Sequence, residues 1–173
     1  MNEAWPSAEV ITTATLILDP LKIDDAADLS QALDDPELHT FIGGEPASVD
    51  ELRSRFAHQV VGQSPDESEG WLNWVVRDST SLEAIGTVQT TLTRQPEGLV
   101  AEVSWVVATP WQGQGRAKDA AGALVTWLWE HGVHTLVAHV HPDHAASAGV
   151  ARSLGLTPTE VVVDGEVRWV SNE

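Results

Sequence analysis

A short turn rich in glycine and glutamine could form a binding site for an anion; it comprises Gln112, Gly113, Gln114, Gly115, Arg116 and Ala117. Pro110 ends the preceding run, and the two glycines free the backbone to turn sharply. A segment with helical hydrophobic spacing follows at once. Because the first N–H groups of a helix have no partner inside it, those of residues 113–117 would point outward together. This arrangement is typical of sites for phosphate or pyrophosphate.

Three kinds of phosphate-containing ligand are compatible with such a turn. The P-loop pattern Gly-x-x-x-x-Gly-Lys-Ser/Thr is absent from the sequence. The dinucleotide pattern Gly-x-Gly-x-x-Gly fails because Lys118 occupies the position of its third glycine. Coenzyme A is the third candidate. Arg116 and Lys118 bring two of the chain's nine Lys and Arg residues to this turn.

The elements that must position this turn follow from hydrophobic periodicity and turn signals. The pattern predicts the order β, α, α, β, β, β, α, β, α, β, β, which one mixed sheet with helices on its faces would bury. Asp24 is the predicted N-cap of the first helix, and Ser48 and Glu51 suggest a capping box for the second. Predicted strands cover residues 14–21, 72–77, 84–93, 100–107 and 134–140 and the two sides of Asp164-Gly165; the long helix covers about 115–130.

The composition excludes several classes of function. With 26 Asp and Glu against 9 Lys and Arg, the net charge of −17 argues against partners such as nucleic acid or an anionic membrane surface. The chain has no cysteine, so thiol catalysis and thiolate metal sites are excluded. No apolar run approaches the roughly 20 residues that span a bilayer, and residues 1–10 lack the basic region of a signal peptide. We therefore expect one cytoplasmic domain over residues 1–173.

The turn resembles the acyl-CoA loop of the GNAT N-acyltransferase superfamily, whose pattern Gln/Arg-x-x-Gly-x-Gly/Ala is matched by Gln112, Gly115 and Ala117. The stretches LILDPLKIDDAADL, DDPELHTFIGG, WLNWVVRDSTSLEAIGTVQTTL, EVSWVVATPWQGQGRAKDA and HPDHAASAGVARSLGL are similar to the branch that includes the ribosomal-protein N-terminal acetyltransferases. The resemblance implies an α/β fold with a mixed, mostly antiparallel sheet of about seven strands, four helices, and a cleft between strands four and five. It also implies acetyl transfer from acetyl-CoA to a primary amine, either a peptide N-terminus or a small cationic amine.

The resemblance also implies roles for individual residues along strand four. The pyrophosphate would lie on the amides of residues 112–117, and the pantetheine would run along the backbone of Val106 and Val107. Glu102 corresponds to a glutamate that deprotonates the amine, often through water. Ser104 lies on the same strand face by alternation and could relay that proton. The N–H of Val106 or Val107 would stabilise the oxyanion.

The general acid is less clearly implied, because the chain has no tyrosine and Ala151 stands where many relatives carry one. Ser147 is the better candidate, since the ribosomal branch often has a serine near the thioester sulfur. His144 replaces the family's usual asparagine at the start of this helix. It could take over that coenzyme contact or act as the acid itself.

Other interpretations remain open from the sequence. A coenzyme-binding module without catalysis and a structural or partner-binding protein are the alternatives to an enzyme. The histidines in HVHPDH and Asp143 could bind a metal, but a polar strand end at the acceptor mouth explains them equally, and we expect no metal. Trp129 points away from its helix's apolar stripe and could form a homodimer contact. Residues 24–69 hold 12 acids and two bases, which predicts a negative wall that favours a cationic acceptor.

Overall fold

The computed structural model describes residues 4–39 and 45–171. Residues 40–44, part of the DDPELHTFIGG stretch, lie outside them. The strands are β1 Ile11–Thr12, β2 Leu16–Pro20, β3 Glu69–Asp78, β4 Ala84–Gln95, β5 Gly98–Val107, β6 Val133–Val140, β7 Leu156–Val163 and β8 Glu166–Ser171. The helices are α1 Ala26–Ala32, α2 Val49–Gln59, α3 Arg116–Glu130 and α4 Ala145–Ser153.

The strands form one sheet in the order β1-β2-β3-β4-β5-β6-β8-β7. Every neighbouring pair is antiparallel except β5 and β6, which run parallel because α3 connects them. The predicted α/β class and the mostly antiparallel sheet are confirmed. The described sheet has eight strands rather than about seven, because the short β1 adds itself to the edge by pairing with β2.

Local signals set most of the boundaries. Asp164 and Gly165 both have positive φ, 51° and 82°, as the predicted hairpin turn requires. Ser48 caps α2 by accepting the N–H of Glu51 at 3.2 Å. The prediction for Asp24 was wrong: a 3-10 turn precedes α1, and Asp25 accepts the N–H of Lys22 at 2.8 Å.

Helices cover both faces of the sheet. The larger core lies between one face and α3 with α4, and it includes Leu72, Val103, Leu124 and Leu136. A smaller core on the other face packs α1 and α2 against the end of β3 near Val75. Among the described residues, no helix is both long enough and apolar enough to cross a bilayer.

Two tryptophans of the larger core bind the N-terminal segment around Glu9. The Trp74 indole N–H donates to the Glu9 carbonyl oxygen at 2.7 Å, and the Trp127 indole N–H donates to the Glu9 carboxylate at 3.3 Å. His131 stacks on Trp127 with 3.8 Å between the ring centroids. Trp127 is buried as its helical position predicts, whereas Trp129 is 43% exposed.

Gly86 allows β4 to approach the end of β5 closely. A Cβ on Gly86 would lie 3.1 Å from the Val107 Cα and closer still to the carbonyl oxygen of Val106. Both atoms belong to the backbone, so they cannot move aside by changing rotamer. A glycine inside a strand marks this kind of backbone approach.

We predict that Gly86→Ala lowers the free energy of unfolding by about 1–3 kcal/mol, the usual cost of overpacking a closed site. Gly122→Ala is the matched control, because a Cβ on that α3 residue meets nothing within 4 Å. The control should be neutral or stabilising by up to about 1 kcal/mol. Urea unfolding measures both, and equal midpoints for the two variants would contradict the proposed close approach.

Candidate active site

The parallel pairing between β5 and β6 stops halfway along β5. Its last pair is Glu102 with Val137, and beyond this pair β6 keeps only the pairing with β8 on its opposite edge. Residues 103–107 of β5 continue to pair with β4 on their other side. The two parallel strands therefore part beyond Glu102, and a gap opens toward their carboxyl ends, where the chain enters α3 and α4.

One peptide unit of β5 presents an N–H group to this gap. The carbonyl oxygen of Val106 faces Gly86 on β4. In a trans peptide the next N–H points the opposite way, so the N–H of Val107 is directed away from β4 and toward the gap. The carbonyl oxygen of Val107 accepts a bond from Gln112 Nε2 at 2.9 Å, which ties the following turn to the strand end. Of Val106 and Val107, the geometry favours Val107 as the donor.

The glycine turn has the predicted conformation at the start of α3. Gly113 and Gly115 have φ of 76° and 79°, and Gly115 is the N-cap of the helix. Within the described chain, the N–H groups of residues 113–117 donate to no acceptor, although the neighbouring Gln112 and Asp119 amides do. A Cβ on either glycine would meet nothing within 4 Å. The turn is an open set of unsatisfied donors at a helix N-terminus, which suits an anion.

The side chain of Arg116 does not add free charge to this turn. Its guanidinium pairs with Asp78 at 3.1 Å and lies 5.2 Å from the centre of the Trp111 ring. Asp78 also accepts the N–H groups of Ser81 and Thr80. The Ser81 hydrogen bond is the main cause of the lowered pKa of Asp78, and the Arg116 bond adds to it. Of the two cations predicted for this turn, Arg116 instead ties the start of α3 to the end of β3. Lys118, in the first turn of α3, is the other.

Glu102 stands in the middle of β5, where the two parallel strands part. Its carboxylate lies 2.9 Å from Nδ1 of His139 on β6. The Glu102 side chain is 55% exposed and that of His139 is 21% exposed. Ser104 is exposed, and the alternation of buried and exposed residues along β5 places it on the face of Glu102. The structure thus brings the Glu102 carboxylate and the His139 imidazole together beside the gap, on the strand face that also carries the Ser104 hydroxyl.

His144 and Ser147 lie at the start of α4, which follows β6. The Ser147 hydroxyl is 3.5 Å from Nε2 of His144, at the limit of a hydrogen bond. Burial, and secondly repulsion by His141, lower the pKa of His144 below its ordinary value. In the described residues, no three His, Asp or Glu side chains are placed to hold a metal ion. His139, one of the histidines in the alternative metal set, contacts Glu102.

Two adjoining depressions follow the same face of β4. The first lies under α2 and includes Arg55, Asn73 and Gln89; the second surrounds Glu102 and includes Glu69, Thr91, His139 and Arg168. Of the 12 acids in residues 24–69, all of them among the described residues, only Glu69 lines either one. Asp25 and Asp28 face Arg77 instead, and Asp35 accepts the hydroxyl of Thr109 at 2.6 Å. Glu69 and Glu102 are thus the acids that line the second depression, and Arg55 and Arg168 also line the two depressions.

Three features of the site were not predicted from the sequence. Gly86 carried a signal, since a glycine within a strand-like run suggests close backbone approach. The partners Asp78 for Arg116 and His139 for Glu102 carried none, because both contacts join elements far apart in the chain and depend on the sheet register.

The chain is similar to one family model and to several solved structures. A family model described as "Acetyltransferase (GNAT) domain" matches residues 15–157. No curated protein matches the sequence. An acetyltransferase from Agrobacterium tumefaciens is 25% identical, with TM-score 0.71 and coverage of 100% of this chain and 99% of that one. The ribosomal-protein-S5-alanine acetyltransferase of Vibrio fischeri is 18% identical, with TM-score 0.76 and coverage of 95% and 96%.

A third structure is similar in fold and was solved with a ligand. RimL, a ribosomal L7/L12 alpha-N-protein acetyltransferase in complex with coenzyme A, is 18% identical, with TM-score 0.75. The alignment covers 94% of this chain and 97% of that one.

We predict that His144 titrates below the value of about 6.5 that is ordinary for histidine. The unfolded chain then binds this proton at higher pH than the folded chain does. The free energy of unfolding should therefore fall as pH falls through about 6.5. Imidazole NMR measures the midpoint, and His144→Asn should remove this part of the pH dependence. An ordinary midpoint with an unchanged slope in the variant would contradict the assigned burial.

Proposed function

The chain belongs to the GNAT acetyltransferase family, which uses acetyl-CoA as donor, and we propose that it acetylates the nitrogen of a primary amine by direct attack on the thioester. The observation that carries this proposal is the gap between β5 and β6. It combines an inward-facing N–H of Val107, a carboxylate where the strands part, and unsatisfied amides at its mouth. Because the chain has no cysteine, a thiol intermediate on the protein is excluded.

The coenzyme is proposed to lie between the two parted strands. The amides of residues 113–117 would hold the pyrophosphate, with Gln112 keeping the turn against Val107. The backbone of Val106 and Val107 would face the pantetheine. His144, neutral near pH 7 because burial lowers its pKa, would supply the contact that asparagine makes in relatives.

The chemistry assigns one task to each group. Glu102 removes a proton from the ammonium, directly or through a water held by Ser104, because only the neutral amine can attack. The N–H of Val107 donates to the oxygen that becomes negative in the tetrahedral intermediate. Ser147 donates its hydroxyl proton to the departing thiolate and takes up the second proton of the attacking nitrogen in exchange. None of these groups needs a metal for its part.

The acceptor is proposed to be a peptide N-terminus or a small cationic amine. Glu69 and Glu102 line the depression beside the gap and would attract an ammonium group. The similar RimL and ribosomal-protein-S5-alanine acetyltransferase structures, named for action on ribosomal proteins, support a peptide N-terminus. We also place the enzyme in the cytoplasm.

The first test of this function concerns the turn. Gly115→Asp should lower the affinity for acetyl-CoA at least tenfold, about 1.4 kcal/mol, because it puts a negative charge against the pyrophosphate. Gly115→Asn is the matched control, since both residues tolerate the left-handed backbone and only one carries the charge. Calorimetric titration should show the smaller loss for Asn. Unchanged affinity in Gly115→Asp would put the coenzyme elsewhere.

The second test concerns proton removal. Glu102→Gln should lower kcat by roughly 100-fold or more and leave acetyl-CoA binding intact. The deficit should shrink as the pH approaches the pKa of the amine itself. Glu97→Gln, in the exposed turn between β4 and β5, is the control for the change in charge. Coenzyme binding without thiol release for any amine would indicate a coenzyme-binding module instead of an enzyme.

A further inference from the structure

The contact between Glu102 and His139 joins the two parallel strands just where their backbone pairing ends. Glu102 is in the last pair of β5 with β6, and His139 lies two residues beyond its partner Val137. Nδ1 of His139 and Oε1 of Glu102 are 2.9 Å apart, a full hydrogen bond. Both side chains line the depression beside the gap.

The chemistry of the two groups fixes where the imidazole proton sits. An ionised carboxylate can only accept hydrogen bonds, so Nδ1 of a neutral His139 must carry the proton. The lone pair of the ring is then on Nε2, the nitrogen that Glu102 does not contact. A carboxylate that fixes the tautomer of a histidine in this way makes its other nitrogen a base.

We propose that His139 is the group that accepts the amine proton and that Glu102 is its positioning residue. This inference rests on the proposed acetyl transfer and revises which atom performs one step of it. An N–H bond of the ammonium breaks, its proton goes to Nε2, and the freed electron pair on nitrogen attacks the acetyl carbonyl carbon. The thioester C–S bond then breaks, and the thiolate leaves with the second amine proton. The imidazolium returns its proton to solvent.

The charges that face His139 fit this role. Glu102 on β5 and Glu69 on β3 stabilise the imidazolium, whereas Arg168 on β8, the cross-strand neighbour of His139, opposes it. His141 follows directly after the end of β6. Glu102 is the only one of these groups in hydrogen-bond contact with the ring among the described residues. Its negative charge is therefore the one that forms an ion pair with the imidazolium.

A purely structural role for the pair is the competing explanation, because the contact also ties two strands together. His139→Asn separates the two explanations. The asparagine amide nitrogen approximates Nδ1 and can keep the bond to Glu102, but nothing replaces the basic Nε2. His134→Asn, the same substitution at an exposed position of the same strand, is the matched control.

The experiment measures kcat and kcat/KM against pH for the full chain with acetyl-CoA and an amine that the wild type acetylates. His139→Asn should lose about 100-fold in kcat, with acetyl-CoA binding unchanged and His134→Asn near wild type. The double variant with Glu102→Gln should be no slower than the worse single variant, because the pair acts as a unit. Added imidazole should partly restore turnover to His139→Ala.

The outcomes separate the two proposals. Wild-type kcat and pH profile in His139→Asn, with Glu102→Gln still slow, would overturn this inference and leave Glu102 as the sole base. A double variant whose loss in kcat equals the product of the two single losses would also overturn it. Such a product means that the two free-energy changes add, as they do for independent groups. No acetyl transfer by the wild type to any amine would remove the proposed function itself.

Discussion

The site depends on one backbone feature: the parallel pairing of β5 with β6 ends at Glu102 and Val137, although both strands continue. β6 lies between β5 and β8, and beyond Val137 it pairs with β8 on its other edge only. Residues 103–107 of β5 are therefore left with one neighbour, β4, and with donors facing a gap. In a closed sheet these groups would be satisfied by the next strand, so the unpaired edge is both the cost of the topology and the surface on which a ligand can bind.

Two of the scarce cations, Arg77 and Arg116, hold elements of the fold together. Arg77 contacts Asp19, Asp25 and Asp28, which fastens the start of α1 to β2 and β3. Arg116 fastens the start of α3 to the end of β3 through Asp78. In a chain with 26 carboxylates and nine Lys and Arg residues, the proposed anion site at residues 113–117 would rely mostly on backbone dipoles. Such dipoles are fixed by the fold and need no side chain to be ordered on binding.

The sequence was sufficient for features whose causes are local. Gly113, Gly115 and the Asp164-Gly165 hairpin all require a backbone that glycine favours, so residue type predicts them. The order of the elements was predicted from hydrophobic periodicity. The prediction of Asp24 as the N-cap was wrong because a short 3-10 turn precedes α1 and moves the cap by one residue, to Asp25. Residue propensities do not resolve a shift of one residue. The pair of Glu102 and His139 could not be predicted, since it depends on the register between two parallel strands separated by a whole helix.

The N-terminal segment around Glu9 contacts α3, an element that comes more than 100 residues later in the chain. Glu9 contacts Trp74 through its backbone and Trp127 and His131 through its carboxylate. On the ribosome α3 is made after β1 to β5, so the contacts of Glu9 with Trp127 and His131 can form only once α3 has emerged. The apolar sheet face that α3 and α4 cover is exposed over that interval, and exposed apolar surface of this kind makes nascent chains prone to aggregation. The larger core of this protein therefore needs both the segment around Glu9 and the much later helix α3 before it is complete.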